Sequence, residues 1–144
     1  MTGPSQVPLT DDELADLYKT GVEEDLFVLE GLLNDLKSQT DNSQNNRDSI
    51  EEAVKQAQGI VHNVKGQGSS FGYPLMTEIG LSYHTLLKFQ ISQDTLNPAF
   101  LKLYEAHLTT MKSIVSNEIR GEGPELLKKV AASLKEKVEL VCQT

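Results

Sequence analysis

A chain of 144 residues suits one compact domain and leaves little room for two. Hydrophobic residues at 38 % and charged residues at 24 % allow a buried core, while no apolar run approaches the roughly 18 residues of a membrane span. Asp and Glu number 21 against 13 Lys and Arg; the net charge of −8, the lack of a basic stripe and the absence of Trp argue against a nucleic-acid partner.

Residues 1–10 have neither a basic start nor an apolar run, so no secretory signal is visible and a flexible tail is expected. The first periodic segment, residues 11–38, carries Leu14, Leu17, Leu26, Leu29, Leu33 and Leu36 at helical spacing. Gly21 is expected to split it into a short lead helix and a longer one, because glycine costs roughly 1 kcal/mol inside a helix. Residues 39–46 are polar and asparagine-rich and read as a loop. The second segment places Ile50, Val54, Ala57, Val61, Val64, Gly68 and Phe71 at steps of four and three.

Pro74, Pro98 and Pro124 each open a further apolar-periodic run, as proline does in the first turn of a helix. The third run holds Leu75, Met76, Ile79, Leu86 and Leu87, and the fourth, capped by Asn97, holds Phe100, Leu103, Leu108, Met111 and Val115. Arg120 to Gly123 reads as a helix stop and turn. The fifth run holds Leu127, Val130, Leu134, Val138 and Val141. No stretch alternates with period two, so the fold class predicted is all-α: an antiparallel four-helix bundle with an additional helix at one or both ends. The single domain has a core at about 22–120 and an extra C-terminal helix over 124–142. Cys142 is the one cysteine, which excludes an internal disulfide and suits a reducing, cytoplasmic compartment.

Rotating the second helix by 100° per residue puts His62 about 120° from the centre of its apolar stripe, on the exposed shoulder. Lys65 and Ser69 follow it at i+3 and i+7, Gln58 precedes it at i−4, and Gly59 and Gly66 flank it at i−3 and i+4. A solvent-facing imidazole thus has a cation one turn away and no side chain directly above or below it. Gly59, Gly66 and Gly68 together cost on the order of 2–3 kcal/mol relative to alanine, which asks for close approach of another surface. For Gly68, on the stripe, that surface is a neighbouring helix; for Gly59 and Gly66 it is an outside partner. Gln58 and Ser69 are candidate docking positions too, with a plain surface role standing beside it.

The run His62-Asn-Val-Lys65-Gly66-Gln-Gly-Ser-Ser-Phe71-Gly72 resembles the signature of histidine-containing phosphotransfer domains: H-x-x-K-G, a small-residue stretch, an apolar residue, and glycine ten positions after the histidine. Tyr73-Pro74 followed by an amphipathic helix is similar to stand-alone bacterial members, and the likeness extends over roughly residues 22–120. The resemblance implies a four-helix bundle with the phosphoaccepting histidine, His62, exposed on its second helix. It implies a phosphorelay intermediate that takes a phosphoryl group from a receiver-domain aspartate and passes it to another receiver. Lys65 would neutralise the phosphoryl oxygens. Partners would be receiver domains and a hybrid sensor histidine kinase. No cofactor is expected on this chain, since Mg²⁺ would come with the receiver. An autonomous kinase is not expected either, because no phosphate-binding Gly-rich loop follows a strand.

His84 and His107 lack a following Lys-Gly and take the structural reading of most helical histidines. Gly72 reads as a helix end, and Glu51-Glu52 as a solvated face. A metal or haem bundle is weak, with three histidines and no i,i+4 pair. A purely structural or dimerising bundle leaves the glycine-flanked histidine unexplained. The competing functional reading is a helical module of the same fold that regulates a kinase or receiver by docking alone.

Overall fold

The computed structural model describes residues 8–41 and 47–143, and among them every regular element is helical. Helix α1 (Asp11–Asp41) starts at a reciprocal cap. The Thr10 hydroxyl accepts the Glu13 N–H at 3.1 Å, and the Glu13 carboxylate accepts the Thr10 N–H at 3.3 Å. Gly21 does not split this helix, contrary to the sequence expectation, and no separate N-terminal helix forms among the described residues. Its neighbours Tyr18 and Val22 are both buried, and burying either contributes more than the roughly 1 kcal/mol that glycine costs. Leu17, expected on the apolar face, is 61 % exposed, and Leu14 is half-buried. The helix also runs past Ser38 into the polar stretch expected to be loop; the rest of that loop, and residues 1–7 of the expected tail, lie outside the described residues.

Helix α2 (Arg47–Gly68) buries Ile50, Val54, Ala57, Val61, Val64 and Gly68, the predicted stripe residue for residue. It passes into a single 3-10 turn (Ser69–Phe71), where Phe71 is half-buried. Gly72 ends that turn in the left-handed region at φ 91°, where a side chain would be strained. Helix α3 (Pro74–Ile91) and helix α4 (Pro98–Ser116) begin at their prolines, and the Asn97 side chain accepts the Ala99 N–H at 2.8 Å. Helix α4 stops at Ser116, short of Arg120, and Gly121 and Gly123 then turn the chain at φ 70° and 71°. Helix α5 (Glu125–Cys142) follows Pro124.

Around the core, α1 packs against α2 and α4, and α3 packs against α2 and α4. Buried tyrosines tie the ring of helices: the Tyr104 hydroxyl donates to the Leu29 carbonyl at 2.7 Å, and the Tyr18 hydroxyl to the Val64 carbonyl at 2.9 Å. Helix α5 lies outside this ring, covering α3 and α4 with Ala131, Leu134 and Val138. No described helix is long and apolar enough to cross a membrane.

Candidate functional site

The stripe that buries Val61 and Val64 turns His62 outward, and its side chain is exposed. A Cβ added at Gly59 or Gly66 would meet nothing within 4 Å, so the backbone one turn either side of the imidazole lies open. Gln58 is half-buried, while Ser69 is exposed on the 3-10 turn. Lys65 is half-buried rather than simply solvated. A Cβ on Gly80 of α3 would lie 2.7 Å from the Lys65 Cβ and 3.1 Å from its Cα, so the missing side chain at Gly80 lets α3 close onto the Lys65 stem.

The end of α2 is locked to the start of α3 by a second close approach. A Cβ on Gly68 would fall 2.7 Å from the Thr77 hydroxyl and 2.8 Å from the Tyr73 carbonyl oxygen, which gives this glycine the neighbouring-helix role expected of it. Thr77 Oγ1 donates to the Lys65 carbonyl and accepts the Ser69 N–H, each at 2.9 Å, and the Tyr73 N–H donates to the Gly68 carbonyl at 2.8 Å. On the far side, the Tyr18 ring stacks on Phe71 and Tyr73 with centroids 5.8 and 5.5 Å away. These contacts set an antiparallel register: Gly68 meets Thr77, Lys65 meets Gly80, and one turn further His62 meets His84.

His84, read from the sequence as structural, lies beside His62. It is half-buried in the α2–α3 seam, its ring centroid 5.8 Å from that of His62 with the planes tilted by 48°. Burial in the seam, then the nearby Lys65, His62 and Lys88, hold its imidazole below the ordinary histidine range, so it is neutral at neutral pH. Neither Lys65 nor Lys88 forms an ion pair with a described carboxylate. An acidic chain thus brings two imidazoles and two lysines to one seam, an arrangement suited to an anion. Leu81, one turn before His84, is 54 % exposed and adds an apolar spot on the α3 side.

His107 does fit the structural reading. It is fully buried, its Nδ1–H donates to the Leu103 carbonyl at 2.6 Å, and Nε2 accepts from Ser82 Oγ at 2.8 Å. Burial pushes its pKa down to about 4, against a smaller upward pull from the Leu103 carbonyl. Gly72 likewise takes the helix-end role, with Arg120 against it and the Gly121 N–H donating to its carbonyl at 3.0 Å. Glu51 is held below the usual carboxylate range by its hydrogen bond to Lys55. Among the described residues no three His, Cys, Asp or Glu side chains gather as a metal ion would require.

His84, Gly80, Thr77 and Lys88 were missed by reading each helix alone. The signal was available in the short α2–α3 joint: once Gly68 and Tyr73 are pinned together, the register across the seam follows by counting. No known protein family, curated protein or solved structure matches the chain.

Proposed function

We propose that α1 to α4 form an antiparallel four-helix bundle of the histidine phosphotransfer type, with α5 as an addition, and that the protein is a cytoplasmic phosphorelay intermediate. His62 accepts a phosphoryl group from the aspartyl phosphate of a receiver domain and hands it to the aspartate of another. The observation that carries this reading is an exposed imidazole with open glycine backbone one turn either side and Lys65 held at its flank by Gly80. Such ground admits the rim of a second protein up to the ring, which a leucine or lysine at Gly59 or Gly66 would obstruct.

The chemistry fits the groups present. A neutral imidazole nitrogen attacks phosphorus in line, the P–O bond to the aspartate breaks, and the carboxylate leaves with the electron pair. Three equatorial oxygens carry negative charge throughout, and the Lys65 ammonium stabilises it. The receiver brings the carboxylate and its Mg²⁺; this chain brings the nucleophile, the cation and the docking face of Gln58, Gly59, Gly66 and Ser69.

Incubation with a phosphorylated receiver domain tests the reading. Label should move to this chain in an acid-labile, base-stable bond, be abolished in His62→Gln, and persist in His84→Gln and His107→Gln. Binding to receivers without any label would favour the docking-only module, and label retained by His62→Gln would remove His62 from the role.

A further inference from the structure

We propose that His84 is a positioning residue for the phosphoryl group on His62: as an imidazolium it donates an N–H to a phosphoryl oxygen, and so ties the lifetime of the phosphorylated state to pH. The inference rests on the reading of His62 as phosphoacceptor and adds a residue that the His-x-x-Lys-Gly run does not contain.

The geometry comes first. The two ring centroids lie 5.8 Å apart across the seam with the planes tilted by 48°, near enough for an N–H of the His84 ring to reach an oxygen of a phosphoryl group carried on His62. The helices are closely packed there, because Gly80 lies on the Lys65 stem and Thr77 hydrogen-bonds the end of α2, so moving His84 away from His62 requires opening the helix pair.

The charges follow. The groups that act on His84 are His62 and Lys65 from α2 and Lys88 on its own helix; no charged group of α4 or α5 does so among the described residues. In the unphosphorylated protein these neighbours and burial keep the ring neutral. Phosphorylation reverses the balance by setting a dianion beside three cationic or protonatable groups. The opposite charge favours the protonated ring, so His84 takes up a proton from solvent as His62 becomes phosphorylated. By linkage, the same coupling makes the phosphoryl group more firmly held where His84 is protonated, and more readily released as the pH rises through its midpoint in the phosphorylated state. His84 supplies the part of the local charge that titrates across the physiological range.

Phosphoramidate serves as a small-molecule donor, its P–N bond breaking with loss of ammonia as the P–N bond to His62 forms. The ring protons of His84 are followed by NMR against pH before and after loading, and the lifetime of phospho-His62 is measured from pH 5 to 9. The His84 midpoint should rise on phosphorylation. Phosphohistidine is itself acid-labile, so the readout is the ratio of wild-type to variant lifetimes. For His84→Ala this ratio should be roughly tenfold at low pH, the weight of one charge-assisted hydrogen bond, and should fall toward one at high pH. His84→Gln keeps a donor that does not titrate, so its lifetime relative to that of His84→Ala should be independent of pH; a thermal melt of each variant checks that the seam stays folded. If His62 loads normally while the His84 midpoint and the lifetimes do not change, the role of His84 is overturned and the phosphorelay reading stands. If neither phosphoramidate nor a phosphorylated receiver loads His62, both fall together.

Discussion

The α2–α3 seam at His62 and His84 and the α3–α4 core at His107 use the same side chain to opposite ends. His107 is fully buried, and both ring nitrogens are committed, one to Leu103 and one to Ser82, with the Tyr83 ring 5.1 Å away. Nothing about it is left to react. His62 is exposed, His84 is half-buried, and the lysines beside them make no ion pair with a described carboxylate. The contrast teaches that a histidine with partners inside the fold is structural, whereas one whose partners are missing is available for a ligand.

The sharpest test of that contrast is pH. The folded protein holds His107 at a pKa of about 4, while an unfolded histidine titrates near 6.5, so on acidification the unfolded chain binds a proton that the fold refuses. Its contribution to stability is complete above about pH 6.5 and is lost as the pH falls toward 4, by about 3 kcal/mol in all. Urea melts at pH 7 and pH 4.5 should show this loss in the wild type and a shallower one in His107→Gln. Equal losses in the two would mean that His107 is not the buried neutral base described.

Two glycines on opposite sides of the seam divide next. Gly80→Ala drives a methyl group into the Lys65 stem and should cost about 1–3 kcal/mol in thermal melts, with His62 and His84 pushed apart. Gly66→Ala meets open space inside a helix and should stabilise by up to about 1 kcal/mol, while Gly66→Leu should stay folded yet slow transfer from a phosphorylated receiver. Destabilisation by Gly66→Ala, or normal transfer by Gly66→Leu, would break the assignment of this face to docking.

Lys65→Ala has the smallest expected effect on folding. Alanine keeps the Cβ that packs on Gly80, so stability should change by no more than about 0.5 kcal/mol, whereas the transfer rate should drop several-fold. An unchanged rate would return Lys65 to a packing role.

Helical periodicity is a property of neighbouring turns, and so the stripe of α2 from Ile50 to Gly68, the outward direction of His62 and the caps at Asn97 and Pro98 were all legible in the chain itself. The same local rule overreached at Gly21 and Leu17. The first is carried through by the burial of Tyr18 and Val22, and the second has helical spacing but lies mostly exposed. What α2 faces was decided elsewhere. The register of α3 depends on two side chains being absent, at Gly68 beneath Thr77 and at Gly80 beneath Lys65, and on the short turn through Gly72 that leaves no slack between them. Each helix carries its own apolar pattern, but only the volume excluded between the two helices selects which residues meet. That selection sets His84 beside His62 and buries His107 behind Ser82.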